Sequence, residues 1–386
     1  MYKKNLLLRT LLIFIPLFLF TSLATAETRT LRVGPGAKYG TPCEAFKDAQ
    51  DGDTIEIDAS GKYSGDVCRI SANRLLIRGI YGKAKIDAAN NSAEGKAIWV
   101  IGGNDTVIGN IEFSGCHVQG KNGAGIRLEG TNLTVRDCYF HDNENGILSG
   151  ENPESEILVE KTEFAHNGYG DGYSHNIYIG NIQKLTMSFC YSHQSNGGQL
   201  IKSRAMENRI LYNRLTDESG SNYELDLPDG GLAYVVGNIF QQSPTATNSA
   251  IIAFGMENPL PASRIVVVNN TLVNNRFTGL FVQVDKRVDT PSLIVNNIFA
   301  GPGQTCSQEK ALLLSNYIGE EPGFKDPSHF DYGLKLSSPC IDGGANLENL
   351  GMKALIPQFE YMHPCGSRPR ILHGAVDIGA IEAAVK

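Results

Sequence analysis

The chain has 386 residues, 41% hydrophobic and 19% charged, and its 34 basic against 41 acidic side chains give a formal charge of −7. That balance excludes a partner held by nucleic-acid phosphates, and it requires any anionic ligand to be met by a local basic patch or a bridging cation.

In chain order, Lys3, Lys4 and Arg9 precede an apolar run over residues 11–20, and Ala24-Thr25-Ala26 makes a small-x-small site. Residues 1–26 are therefore predicted to be a secretory signal peptide, and the mature protein to be exported to the periplasm or the outside medium. No later apolar run is long enough to span a membrane. Without the three leader cations the count is 31 basic to 41 acidic groups, a formal charge of −10. All eight cysteines follow the leader, an even number suited to an oxidising compartment. Cys43 with Cys68, and Cys340 with Cys306 or Cys365, are candidate pairs, and spacing leaves the choice open.

Residues 27–109 read as a cap and first coils, 110–300 as regular coils and 301–386 as a C-terminal extension. Within 110–300 one column recurs roughly every 25 residues: Asn110, Cys138, Thr162, Cys190, Asn213, Asn238, Asn270, Asn297. Strand-length β-favouring runs precede its members, at 133–135, 157–159, 185–187, 210–212, 234–236, 265–268 and 293–295. Phe113 stands three residues after Asn110, whereas Leu215, Phe240, Leu272 and Phe299 stand two after theirs, so the column reads as slipping by one residue midway. No helix-length pattern fits inside the unit, and Asn, Gly and Asp supply its turns. The fold class expected is all-β, a right-handed parallel β-helix with an N-terminal cap helix. Coils rise about 4.8 Å each, so equivalent side chains form ladders. Cys138 and Cys190, two coils apart at about 10 Å, are too distant for a disulfide and are expected as buried thiols.

The segment 31–381 resembles the pectate-lyase-like β-helix superfamily of polysaccharide-active proteins. Residues 45–57 (AFKDAQDGDTIEI) resemble its capping helix and first turn, and residues 336–343 (LSSPCIDG) with 376–382 (VDIGAIE) resemble its closing segment. The resemblance implies a monomeric protein that takes a polysaccharide along its side.

Candidate chemistry concentrates on another strand of each coil. Aligned by Ile177, Ile201, Leu225 and Ile252 as inward residues, Tyr178, Lys202 and Asp226 face outward on successive coils. His175, Arg204, Glu224 and Asp229 flank them, the loop 168–174 with Asp171 overhangs one side, and Arg127 lies further along. Later coils turn bland, at Ala253 and Val282. For β-elimination on a uronate-containing glycan, Lys202 is the candidate base and Arg204 the carboxylate clamp. Tyr178 or His175 is the candidate acid. Arg127, Asp171 and Asp229 are candidate substrate contacts, and Glu224 with Asp226 could hold Ca²⁺. The stretch Ile201-Lys202-Ser203, with Asn208, Tyr212-Asn213 and Gly237-Asn238-Ile239-Phe240, is also similar to β-helix alginate and chondroitin lyases, which implies Lys202 as base. Where that family carries an Arg-His pair this chain has Pro228 and Asp229.

Two other readings stand beside the lyase. A non-catalytic polysaccharide-binding or cell-envelope protein would use the same strand face without chemistry, and a glycoside hydrolase would use a carboxylate pair such as Glu224/Asp226 or Asp226/Asp229. His117, His141, His166 and His193 fall near turns on positions that do not coincide, which argues against a metal set.

Overall fold

The computed structural model describes residues 29–383, and the predicted signal peptide lies outside them. Three parallel sheets form the walls: a twelve-stranded sheet from Thr30–Val33 to Leu312–Leu314, an eleven-stranded sheet from Tyr63–Ser64 to Tyr317–Gly319, and a ten-stranded sheet from Cys68–Ile70 to Gln304–Cys306. Each coil gives one short strand to each wall and climbs one rung, which is the parallel β-helix expected. The sheets continue one rung past residue 300 before the extension begins.

The interior is built from columns. Val135, Val159, Met187, Ile210, Val235, Val267 and Ile294 stack up the twelve-stranded wall. Phe113, Phe140, Phe164, Ser192, Leu215, Phe240, Leu272 and Phe299 stack up the eleven-stranded wall. Phe113, Phe140 and Phe164 lie face to face at 4.9 and 5.1 Å. Below them Trp99 meets Phe113 edge-on at 4.9 Å and Phe46 of the cap helix at 5.1 Å, so one aromatic spine runs from cap to coils. The helix Pro42–Asp48 starts at a proline, with Glu44 Oε2 accepting the Thr41 N–H at 3.3 Å. A Cys43–Cys68 disulfide joins it to the ten-stranded sheet. Cys340, Cys306 and Cys365 are free thiols, so the second pairing considered from sequence is absent, and Cys138 and Cys190 are buried thiols as expected.

The corner between the twelve- and eleven-stranded walls corrects the repeat register. Its left-handed residue is Asn110, Asp137, Lys161, Phe189, Tyr212, Gly237, Asn269 and Asn296 in successive coils, all at φ between 48° and 68°. Asn110 therefore belongs to this turn column, where its amide donates to Gly79 O and Gly82 O, and Ile111 holds the ladder position below Cys138. Counted from Ile111, the aromatic column stands two residues on in every coil, and no slip occurs. In the later coils the ladder is asparagine. The backbone N–H groups of Asn213, Asn238, Asn270 and Asn297 each donate to the next coil's side-chain oxygen at 2.8 Å.

The extension explains why the later coils are apolar outside as well as inside. Phe324, Tyr332, Leu334 and Tyr361 pack on Tyr191, Ile239, Val273 and Ile298 of the eleven-stranded wall. Leu347 packs on Val236, Val266, Val268 and Val295 of the twelve-stranded wall. Asp342 N–H donates to Asp377 Oδ1 at 2.7 Å, and Ile378 N–H to Cys340 O at 2.9 Å, so the two C-terminal motifs close on each other. The ten-stranded wall contributes nothing to either cluster, and its outer face is left to the coil loops.

Asn238 Nδ2 donates to Asn270 Oδ1 and Ile210 O while its Oδ1 accepts from Asn213 N–H. Replacing Asn238 by Ala is expected to cost about 3 kcal/mol, as several buried groups lose partners at once. The check is the urea midpoint against a control at exposed Asn349, which should not move.

Candidate functional site

Register on the ten-stranded wall places Arg127, Leu148, Tyr178, Lys202, Asp226 and Ala253 in one outward column. The next residue in that column is Gln283, and Val282 pairs with Ile252 on the inward side, which corrects its expected outward position. Strand alternation therefore brings Tyr178, Lys202 and Asp226 side by side, as the sequence pattern required.

Arg204, two residues past Lys202, binds the strip together. Its Nε donates to Tyr178 Oη at 3.0 Å, Nη1 to Asp229 Oδ1 at 2.7 Å and Nη2 to Glu257 Oε2 at 2.5 Å. Lys202 Nζ lies 3.4 Å from Asp226 Oδ2, 3.3 Å from Glu257 Oε1 and 5.7 Å from the centre of the Tyr178 ring. Glu257, which bridges both cations, escaped the sequence reading because it belongs to no column. It projects from the loop after Ala250–Phe254, which is fixed by Glu257 N–H to Pro228 O and Leu260 N–H to Asp229 O, both at 2.9 Å. The available signal was that Glu257 is the sole charge in residues 255–263.

Burial divides the roles. Desolvation, outweighing the pull of Lys202, pushes the Asp226 carboxyl up to about 6. Burial also raises Asp229 against the pull of Arg204. Burial opposes ionisation of Glu257 too, but the Arg204 hydrogen bond and Lys202 together hold it below the ordinary carboxylate value. His175 is 2% exposed and lies under Tyr178, edge to face at 5.5 Å. Burial, with a smaller push from Lys202, lowers it to about 3, and its Nδ1 accepts the Gln199 N–H at 3.1 Å. The imidazole is thus neutral and supports the Tyr178 ring from beneath, which corrects its candidacy as a surface acid. Gln199, also missed from sequence, reaches Asp226 Oδ2 at 3.4 Å through Nε2.

Two further candidates sit apart from the strip. Asp171 is tied to its own loop, accepting Tyr173 N–H at 3.2 Å and meeting Lys121 at 3.5 Å, and Lys121 covers the Tyr169 ring at 4.1 Å. Glu224 points into the corner of the coil, fully buried, with Gln242 Nε2 3.4 Å from its Oε2 and nothing on Oε1. This turns it away from Asp226 and removes the same-face carboxylate pair considered for calcium or hydrolysis. Calcium takes six to eight oxygen ligands. The outward carboxylates here are already matched to Lys202 and Arg204, and among the described residues no group of three or more His, Cys, Asp or Glu is arranged to hold a metal. The donor set does not fit the ion.

A family model described as right handed beta helix region matches residues 46–176. Among solved structures, the crystal structure of pectate lyase Pel9A superimposes with a TM-score of 0.66 over 92% of this chain and 98% of that one, at 14% identity. The fold is the pectate-lyase-like right-handed β-helix. At that identity the likeness shows the fold alone. The pectin methylesterase from Aspergillus niger, in deglycosylated form, aligns over 85% of this chain and 97% of its own at 14% identity, but a TM-score of 0.36 carries no argument. No curated protein matches the chain by sequence.

Elsewhere on the β-helix, a groove of about 580 Å³ crosses the twelve-stranded face between Asn132, Thr134, Glu156, Leu158, Lys184 and Thr186. No aromatic, arginine or histidine side chain lines it, and Lys184 is held by Glu156 at 2.6 Å, so it lacks the guanidinium and phenol of the strip. On the eleven-stranded wall His141 and His193 do share a column, with Ala165 between them, contrary to the sequence reading. Each pairs with a glutamate, Glu112 at 3.3 Å and Glu163 at 3.1 Å. Among the described residues no helix is long and apolar enough to cross a membrane.

Burial and the charge of Asp217 raise Glu224 well above its ordinary 4.5. A carboxyl whose folded pKa is raised loses stability as pH climbs above the unfolded value. Glu224→Gln is therefore expected to match the wild type in acid and to exceed it by about 1–3 kcal/mol at neutral pH, because the amide has no ionisation for the folded state to oppose. Thermal melts across the pH range check this, and equal midpoints at neutral pH would contradict it.

Proposed function

We propose that this protein is a polysaccharide lyase that cleaves an acidic, uronate-containing glycan by β-elimination on the outer face of its ten-stranded sheet. The observation that carries this is the Arg204 guanidinium, held between Tyr178 Oη and two carboxylates with Lys202 beside it, on a pectate-lyase-like fold.

In the reaction a base takes the proton on the carbon next to the sugar's carboxylate, the adjacent carbon–oxygen bond breaks, a carbon–carbon double bond forms, and the leaving oxygen gains a proton. Arg204 suits the substrate carboxylate, since its planar fork already binds one in Glu257. Exchanging Glu257 for the sugar acid keeps the guanidinium paired and places positive charge where the enolate develops. Lys202 faces the same volume and is the base in this reading, acting as the neutral amine once its own proton has left to solvent, with Asp226 positioning its Nζ. Tyr178 donates to the leaving oxygen, oriented by Arg204 Nε and by His175 beneath. Export to the periplasm or beyond, and action as a monomer without calcium, belong to the same proposal.

The saturated ion pairing of Lys202 and Arg204 favours one second reading, a non-catalytic polysaccharide binder. A panel of uronate polymers separates the two by the ultraviolet absorbance of the unsaturated product. Turnover should appear and should fall at least about a hundredfold in Lys202→Ala, the usual scale for loss of a general base; binding without absorbance would support the binder. The carboxylate of Asp226 is required, so kcat/KM should fall as pH drops below about 6, and Asp226→Asn should erase that limb of the profile.

A further inference from the structure

Along the outward column the cations of the ten-stranded wall differ in one respect. Lys202 and Arg204 are paired with carboxylates, and Arg69 is paired with Glu94 at 3.2 Å and Glu129 at 2.8 Å. Arg127 is not. Its nearest acid along the strand, Glu129, is consumed by Arg69 and by Lys96 at 2.6 Å, and those partners hold Glu129 below the ordinary carboxylate value. Among the described residues no carboxylate pairs with Arg127, and its Nε is buried without a hydrogen-bond partner. A half-buried guanidinium in that state is unusual, because losing hydration without a counter-charge is costly.

Between Arg127 and Lys202 the column carries Leu148 and Tyr178. Both belong to an apolar cluster outside the coil, with Val100, Ala97 and Ala124. The column therefore reads, from Lys202 toward the N-terminal end, as charged strip, half-exposed aromatic ring, buried leucine, free cation. Rungs rise about 4.8 Å each, close to the length that one sugar adds to an extended chain.

We propose that Arg127 is a specificity residue, binding an acidic group on the sugar three residues from the one held at Lys202 and Arg204, with the glycan lying along the solenoid axis over Tyr178. This rests on the lyase reading of the strip and extends it to a cleft of at least four sugars. Three steps is an odd number, so a polymer alternating acidic and neutral sugars presents a neutral ring to Arg127, whereas a chain acidic at every sugar presents a carboxylate. The cleft is thereby selective for the second class.

The test uses full mature protein carrying Lys202→Ala, to prevent turnover, and calorimetric titration with a trimer and a hexamer of one uronic acid. The hexamer should bind about tenfold tighter than the trimer, and adding Arg127→Gln should abolish that advantage, on the scale of one charge-assisted hydrogen-bonded contact. Arg127→Lys, which keeps a point charge, should restore part of it, and unchanged melting midpoints show that the fold is intact. An advantage that survives Arg127→Gln, or an equal Arg127 effect on an alternating acidic–neutral hexamer, overturns the inference while leaving the lyase reading in place. Failure of both oligomers to bind overturns the two together.

Discussion

Parallel coils can stack only if every backbone group at their corners finds a partner in the coil above or below, and in this chain a side-chain amide ladder does that at the tightest corner. Each interior Asn accepts the N–H of the coil beneath and donates back to a carbonyl there, as Asn270 does in binding Asn238 N–H and Val235 O. Three coils are tied by one residue, so a shift of register in any coil would break bonds in its neighbours. In the first coils, Ile111, Cys138 and Thr162 fill the same column with less hydrogen bonding, and there the stacked Phe113, Phe140 and Phe164 rings add interactions worth about 0.5–1.5 kcal/mol per pair. Constant register is what turns a sequence period into a strip of aligned outward side chains.

The strip depends on that ladder from inside and on a second layer directly beneath. His175 and Gln199 hold Tyr178 and Asp226 from the buried side, the first by ring contact and the second by an amide hydrogen bond. The C-terminal extension seals the outer faces of the other two walls in the later coils. The ten-stranded wall lies outside these two contacts, and the loop carrying Glu257 borders its charges.

How much of this could be read from residues alone follows from which features are periodic. The solenoid and the outward column Tyr178, Lys202, Asp226 come from spacing and alternation, which sequence displays directly, whereas Cys43–Cys68 was one candidate pair among several until the structure joined it. Asn110 was misplaced because a left-handed turn column and an interior ladder column sit next to each other and both accept Asn. Glu257 and Gln199 were invisible because loop geometry brings them in, and a loop has no period. Glu224 was assigned outward because alternation was extended past the end of its short strand, Leu225–Leu227, into a corner where the chain bends inward.

The energetic character of the strip also says where affinity can arise. In the proposed reaction a substrate carboxylate entering at Arg204 would displace Glu257, exchanging one ion pair for another with a small net gain, in the manner of partly exposed pairs generally. Such an exchange suits catalysis, since it places charge without deepening the ground-state well. Binding energy must then come from groups that have no partner in the free protein. In the proposed cleft the half-exposed Tyr178 face would supply dehydration of a sugar ring, and Arg127 would supply a charge with no carboxylate to release. The proposed lyase would therefore divide its labour by partner count: saturated cations at the proposed reaction centre, an unsaturated one three coils away, and the glycan held by its remote sugars.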